Sequence, residues 1–116
     1  MNNINSDSIS ASTIGKWYVI AISGDFTIKN LTRIRKWFDE AEINGVQFIA
    51  LDLSTTTYLD SSGITILVNF RNRSIRRGAT MVLAGLNTDI EEIISILGID
   101  KILKVIKNIN DLPQES

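Results

Sequence analysis

A nearly continuous apolar run over residues 46–53 constrains the fold more than any other feature of the chain. The run has the length of a β-strand, and its few polar members do not alternate with the apolar ones. A strand of this kind is covered on both faces, which is typical of the centre of a parallel sheet. Parallel neighbours need crossover connections, so this segment predicts an α/β domain.

The N-terminal part of the chain predicts an antiparallel hairpin. Ile9, Ala11 and Thr13 alternate with serines, a pattern typical of an edge strand. Residues 14–16 then indicate a tight turn, and residues 17–22 form a β-branched and aromatic second strand. We expect the polar residues that follow to form a loop.

The segment after this loop changes to a helical period. Its apolar positions are Leu31, Ile34, Trp37 or Phe38, and Ala41. Thr27 or Asn30 can serve as the N-cap, and residues 44–45 mark the end of the helix. Trp17, Trp37 and Phe38 together suggest a ligand cage, but their spacing favours packing in the core.

A second helix is predicted after the polar stretch 54–57 and ends at Gly78. Its buried side is predicted to carry Ile64, Leu67, Val68, Arg71 and Ile75. A third helix opens on a capping box formed by Thr88 and Glu91 and stops at Gly98. Residues 79–84 predict another buried strand, and residues 102–106 can add a short one.

The resulting element order is β-β-α-β-α-β-α. It predicts an α/β fold in which helices flank a mixed sheet with a parallel centre. The length favours one domain over residues 1–116, with residues 1–6 and 111–116 flexible. Open sheets of this kind place functional loops at the carboxyl ends of their parallel strands. The loop after Leu53 is such a loop.

The composition narrows the classes of function. The chain contains no histidine and no cysteine, so the usual general base, thiolate nucleophiles and the common zinc sites are missing. Mechanisms that use a carboxylate, a lysine or a tyrosine stay open, so the composition disfavours an enzyme without excluding one. Our expectation is a protein that is not an enzyme and that needs no metal or cofactor. The lack of cysteine is compatible with the cytoplasm.

The net charge of −1 gives no global field that favours nucleic acid or a membrane surface. One local exception is the group Arg71, Arg73, Arg76 and Arg77. It indicates either the solvated face of a helix or a basic patch for an acidic partner surface.

The stretch Asp60, Ser61, Ser62 and Gly63 leads from the polar loop directly into the second helix. The first turn of a helix has unpaired N–H groups and the positive end of the dipole. A hydroxyl or carboxylate there can cap the helix, and a phosphate on a serine would meet the same donors. On chemistry alone, capping and phosphorylation both remain open.

In order and spacing, these features resemble the anti-sigma factor antagonists of the STAS domain family. The resemblance covers nearly the whole chain and rests on five places: Gly24 at the end of the hairpin, residues 51–54, residues 58–64, the arginine-rich helix end before Gly78, and residues 96–99 followed by 102–103. It implies a four- to five-stranded sheet with flanking helices.

The resemblance also implies a partner-switching cycle. The unphosphorylated domain would bind an anti-sigma factor that is also a serine kinase of the histidine-kinase-like ATPase class. That kinase would phosphorylate Ser61, and a PP2C-type phosphatase would reverse the reaction. Asp60, Ser62, Gly63 and Asp52 would support the phosphorylation site.

The partner surface would include Gly24, Asp25, Thr27 and Tyr58. The loop at residues 24–27 departs from the family pattern, because Thr27 stands where an aspartate is expected.

Two alternatives stay open. A STAS module can bind a partner in secretion, biofilm, lipid or transport complexes without any phosphoswitch. Asp52 could instead accept phosphate as in a response regulator, but such a site needs an acidic Mg²⁺ cluster, for which Asp25 is the single candidate nearby.

Overall fold

The computed structural model describes residues 8–114. Its strands are β1 (Ser8–Ile14), β2 (Trp17–Phe26), β3 (Phe48–Asp52), β4 (Thr56–Leu59), β5 (Thr80–Ala84) and β6 (Lys104–Ile106). The α-helices are α1 (Leu31–Ile43), α2 (Ser61–Arg76) and α3 (Thr88–Ile96), and three 3₁₀ turns occupy Ile28–Asn30, Ile99–Lys101 and Ile109–Asp111. Strands and helices follow the predicted sequence order, the short strand suggested within residues 102–106 is present as β6, and β4 is an addition to the prediction.

Strands β1 and β2 form the predicted antiparallel hairpin, closed by the pair Ile14 and Trp17. Gly15 in the turn has φ +58°, a conformation that glycine adopts without steric cost. A side chain at this position would also collide with the side chain of Gln114. Glycine at the first position of this two-residue turn therefore suits both the backbone conformation and the close approach of Gln114.

The remaining strand pairs are parallel, and the main order across the sheet is β1-β2-β3-β5-β6. The first part of β2 pairs with β3, whereas its last residues pair with β4. The ladder shifts register between Gly24 and Asp25 at this change of partner. Strand β2 therefore connects the body of the sheet to the segment that precedes α2.

Strand β3 is buried on both faces, as its apolar run predicts. Ile49 and Leu51 belong to the core beneath the three helices. Ala50 points into a second cluster with Trp17, Val19, Val82 and Leu112. The C-terminal segment thus covers the face of the sheet that the α-helices leave, and Trp17 donates a hydrogen bond of 2.6 Å to the carbonyl oxygen of Pro113.

The aromatic residues pack as predicted. Trp17 and Phe38 are buried, and Trp37 packs against the main core. Phe38 of α1 stacks on Phe70 of α2, with ring centroids 4.2 Å apart. This contact joins the two helices.

The mixed α/β fold is confirmed, but the described part of the sheet has six strands rather than four or five. Residues 23–27 were predicted as a loop, and β2 continues through most of them to Phe26. Residues 54–57 were predicted as a polar loop, and β4 begins within them at Thr56. Both errors have one cause, because the two polar segments pair with each other.

The predicted buried side of α2 is correct only in part. Leu67 is buried and Ile64 and Val68 pack against the core, but the centre of the buried side is displaced. The buried positions are Gly63, Ile66, Leu67, Phe70 and Ser74, each one residue before a predicted position. Ile75 is exposed, and Arg71 donates to the carbonyl oxygen of Ile102. The helix is rotated because Gly63 and Ser74 are small enough to face the core closely.

One helix start differs from the prediction. Asn87, not Thr88, is the N-cap of α3, and its side chain accepts a hydrogen bond of 2.8 Å from the N–H of Ile90. Asn30, one of the two predicted candidates, is the N-cap residue of α1, but its side chain does not accept a capping hydrogen bond. Its Nδ2 donates to the carbonyl oxygen of Asp25, and its Oδ1 accepts from Arg33.

The termini can be described only in part. Residues 1–7 and 115–116 lie outside the described residues, and so does most of the predicted flexible ends. Within the described portion, Leu112 is buried. No helix among residues 8–114 combines the length and apolar character needed to cross a bilayer.

Candidate functional site at the start of helix α2

The first turn of α2 lies directly after β4 and beside the end of β2. The N–H of Asp60 approaches the carbonyl oxygen of Phe26 at 3.4 Å. Leu59 and Phe26 are register partners in the parallel pair. The backbone of the sheet thus sets the position from which the helix starts.

Asp60 is the N-cap of α2. Its backbone is extended, and its Oδ1 accepts a hydrogen bond of 2.9 Å from the N–H of Gly63. Its carbonyl oxygen accepts the first helical bond, from the N–H of Ile64 at 3.0 Å. The capping that the sequence left open between Asp60 and the serines therefore belongs to Asp60.

Ser61 is the first residue of α2, and it is exposed. Its carbonyl oxygen accepts a hydrogen bond of 2.9 Å from the hydroxyl of Thr65. Among the described residues, no hydrogen bond uses the hydroxyl of Ser61. Ser62 is half-buried behind it. The Ser61 hydroxyl is thus accessible and is not needed to hold the helix.

Gly63 is required because the helix approaches β2 too closely for a side chain. A Cβ at this residue would lie 2.2 Å from the carbonyl oxygen of Phe26 and 2.8 Å from Cδ1 of Leu59. Both Phe26 and Leu59 are buried. Gly63 therefore sets how closely α2, and with it Ser61, lies against the sheet.

Strand β4 is attached by side chains that the sequence analysis did not single out. Thr56 is buried, and its Oγ1 donates to the carbonyl oxygen of Ile22 at 2.5 Å. The hydroxyls of Ser23 and Thr55 are 2.6 Å apart and form a hydrogen bond. Three consecutive β-branched threonines before Tyr58 were the available strand signal.

Asn87 makes a further connection to this segment. Its Oδ1 caps α3, and its Nδ2 donates to the carbonyl oxygen of Thr56 at 3.2 Å. One amide side chain thus links the start of α3 to β4. An asparagine before a helix predicts the cap, but nothing local predicts the second contact.

The predicted partner residues lie close to this site but differ in exposure. Tyr58 is exposed to 57%, whereas Thr27 is exposed to only 7%. Gly24 is buried, and its N–H donates to the carbonyl oxygen of Thr55 at 3.0 Å. Asp25 is half-buried and is the register partner of Tyr58. Tyr58 therefore offers most of the accessible side chain in this group.

Asp52 lies at the end of β3, and its Oδ1 accepts a hydrogen bond of 3.0 Å from the N–H of Ser54. It thus shapes the loop that leads to β4, and within residues 8–114 no hydrogen bond joins its side chain to Ser61. Among residues 8–114, no three carboxylate side chains are grouped so that they could hold a metal ion. Asp52 does not have the acidic neighbours that a response-regulator aspartate needs.

The electrostatics of α2 differ between its ends. The first turn contains no acidic residue, and the N-cap Asp60 supplies the negative charge there. Arg73 and Arg76 lie in the last turn, where they complement the negative end of the helix dipole. A phosphate on Ser61 would be near the helix N–H groups and also near the like charge of Asp60.

The described residues thus form a mixed sheet covered by helices, with an exposed serine in the first turn of the second α-helix. The family model of the STAS domain matches residues 8–112. The chain therefore belongs to the STAS domain family, and the family assignment made from the sequence is confirmed.

Individual proteins agree with this assignment. A candidate anti-sigma factor antagonist from Thermotoga maritima is 28% identical over 92 residues, which cover 78% of this chain and 81% of the relative. The crystal structure of a candidate anti-sigma factor antagonist from T. maritima has a TM-score of 0.83 at 24% identity and covers 89% of each chain. The structure of the Bacillus cell fate determinant SpoIIAA in its phosphorylated form has a TM-score of 0.68 at 14% identity, covering 84% of this chain and 90% of that chain. The two structural similarities concern the fold.

Proposed function

We propose that this STAS domain is a partner-switching regulator of the anti-sigma factor antagonist type. In the proposed cycle, the unphosphorylated domain binds an anti-sigma factor that is also a serine kinase of the histidine-kinase-like ATPase class. Phosphorylation of Ser61 ends this binding, and a PP2C-type phosphatase restores it. Because the cycle uses ATP and acts on transcription, we place it in the cytoplasm.

The observation that supports the proposal is that Asp60 and Ser61 have different roles: Asp60 caps the helix, and Ser61 exposes a hydroxyl. Asp60 caps α2, so the exposed Ser61 hydroxyl can be modified without removal of a helix cap. The fold then tolerates the phosphate while the surface changes. A modification site with a small effect on stability and a large effect on binding is what a reversible switch requires.

The chemistry of the switch is a phosphoryl transfer. The Ser61 Oγ attacks the γ-phosphorus of ATP, the bond to the β,γ-bridging oxygen breaks, ADP leaves, and the hydroxyl proton is lost. The product carries about −1.5 to −2 additional charge. In an interface formed around Ser61 and the exposed Tyr58, that charge would have to be desolvated next to Asp60, which disfavours binding.

The phosphorylation step can be tested by intact-mass measurement. The purified domain is incubated with Mg-ATP and a serine kinase of the histidine-kinase-like ATPase class from the same organism. We expect the addition of one phosphate to the wild type and to Ser62→Ala, and none to Ser61→Ala. Phosphate on Ser61→Ala, or no phosphate on the wild type, would contradict the assignment of this site.

The binding step is tested with the same kinase in a calorimetric titration. We expect Ser61→Ala to bind like the wild type and Ser61→Asp to bind about tenfold or more weakly. Ser95→Asp is the matched control, because Ser95 is exposed on a different helix, α3, and this variant should bind like the wild type. Full binding by Ser61→Asp would favour a STAS module that binds its partner without a phosphoswitch.

A further inference from the structure

Strand β1 forms one edge of the sheet. Within residues 8–114 it pairs with β2 alone, over Ser8–Ile14. Ile14 and Trp17 close a two-residue turn, and the closing pair of such a hairpin exchanges its hydrogen bonds. By alternation along the ladder, the N–H and C=O groups of Ile9, Ala11 and Thr13 face away from β2. The edge therefore presents a row of backbone donors and acceptors.

This edge lacks the features with which proteins usually protect such strands. Its seven residues contain no charged residue and no proline. The side chains of Ser8, Ser10 and Ser12 are exposed and too small to block an approaching chain. The opposite edge is different, since β6 has three residues and begins with the exposed Lys104. Within residues 8–114, the sheet is thus protected at the β6 edge and open at the β1 edge.

We propose that β1 pairs antiparallel with β1 of a second copy of this chain, giving a two-fold dimer with one continuous sheet. A two-fold axis at Ala11 places Ala11 opposite its counterpart and Ser10 opposite Ser12 of the second copy. Ile9 then lies opposite Thr13. Each contact occurs twice, as an isologous interface requires.

We choose a second copy of this chain as the partner because strand β1 is complementary to itself. An uncharged strand has no like charges to repel its own copy, and opposing serines can hydrogen-bond across the pair. One strand pair buries less surface than a standard interface of about 1,600 Å². We therefore expect a weak dimer, with a dissociation constant on the order of micromolar or higher. The proposal does not depend on phosphorylation of Ser61.

The test is sedimentation equilibrium of the full chain over a wide concentration range. We expect a reversible monomer–dimer equilibrium for the wild type. The double variant S10K/S12K places lysine opposite lysine at two positions, and its association should be about tenfold weaker. The variant S10K/S12E places lysine opposite glutamate at the same two positions, so it should associate at least as well as the wild type.

A matched control is T32K/S95K, which adds the same charge at two exposed helical positions and should associate like the wild type. Circular dichroism checks that each variant is folded. A wild type that stays monomeric throughout would overturn the proposal, and so would dimerisation of S10K/S12K at wild-type strength. If folded S10K/S12E is as weak as S10K/S12K, the two-fold pairing at Ala11 is wrong.

Discussion

The two ends of helix α2 are built in different ways. At the start, Gly63 touches the backbone of Phe26 and the Asp60 carboxylate caps the helix. At the end, Arg73 contacts Asp39 at 3.1 Å and also binds Glu42 on α1. The start is held by backbone contacts and one short side chain, whereas the end is held by long charged side chains at the surface.

The difference explains where a switch can be placed. Close backbone contacts hold the start of α2, so the exposed side chain of Ser61 is not needed to stabilise the helix and can be modified. The arginines at the other end are partly used to join α2 to α1. A phosphate at the start of α2 would leave the backbone contacts there intact. A phosphate at the end of α2 would compete with the ion pairs between Arg73 and α1. The following predictions test this comparison, beginning with the largest effect.

Gly63→Ala should have the largest effect on stability. Its Cβ would lie 2.2 Å from the carbonyl oxygen of Phe26, so either α2 or the end of β2 must move. We expect the free energy of unfolding to fall by about 3 kcal/mol, at the upper end for overpacked sites. Urea denaturation measures this change.

The control for Gly63 lies at the other end of the same helix. Gly78 has φ +78°, but no atom lies within 4 Å of the position of its Cβ. Gly78→Ala should therefore cost only the strain of the left-handed backbone, about 1 kcal/mol. If Gly63→Ala is no more destabilising than Gly78→Ala, the close contact at the start of α2 does not hold the helix.

Thr56→Val tests the attachment of β4 to the sheet. The substitution keeps the shape but removes the hydroxyl that donates to the carbonyl oxygen of Ile22. A buried acceptor without a donor costs about 1–3 kcal/mol, and we expect about 2 kcal/mol in thermal or urea unfolding. Thr56→Ser keeps the hydroxyl and should recover most of the loss. A Thr56→Val variant as stable as the wild type would show that the hydrogen bond does not attach β4, and a Thr56→Ser loss as large as that of Thr56→Val would show that the methyl group contributes as much as the hydrogen bond.

The attachment of β4 to the sheet also shows which part of the fold could not be predicted from the sequence. The central strand was predictable because residues 46–53 form a nearly continuous apolar run, which is a local property. Strand β4 was not, since residues 54–57 are polar and only their pairing with β2 makes them a strand. The hydroxyl of Thr56 is buried because Ile22, far away in the sequence, provides an acceptor.

The candidate site was predictable to a similar extent. The chemistry of residues 60–63 indicated a helix start, and the family resemblance selected Ser61 within it. The contact between Gly63 and Phe26 could not be predicted, because it depends on how β2 and β4 pair. The same contact helps set the rotation of α2, which explains why the predicted buried side was displaced by one residue.

Asp60→Ala should have an intermediate effect. It removes the acceptor for the N–H of Gly63, and loss of an N-cap costs about 1 kcal/mol. The amide of Gly63 should also exchange its hydrogen faster. Asp60→Asn keeps a capping oxygen and removes the charge, so its stability should stay close to that of the wild type. A large loss in Asp60→Asn would mean that charge, rather than the cap, stabilises this end of α2.

Arg73→Gln should have the smallest effect, because its ion pairs are at the surface. The Arg73 side chain is 38% exposed and that of Asp39 is 41% exposed. Partly exposed pairs contribute little, so we expect a loss of about 0.5–1 kcal/mol in urea unfolding. The loss should shrink in high salt, which screens surface charges.

The pH dependence of this last effect follows from the charge on Arg73. Burial alone lowers the pKa of Arg73, but hydrogen bonds to Glu42 and Asp39 outweigh it and raise the pKa above its ordinary value. A raised pKa gives a contribution that is fully present below the ordinary arginine value and is lost only as the pH rises through the folded one. The difference in the free energy of unfolding between Arg73→Gln and the wild type should therefore be constant from neutral to mildly alkaline pH.

Arg76→Gln is the control, since Arg76 forms no ion pair with any residue in 8–114, and it should change stability by less than about 0.5 kcal/mol. If both variants lose the same free energy, the end of α2 is stabilised by the helix dipole and not by the ion pairs with α1.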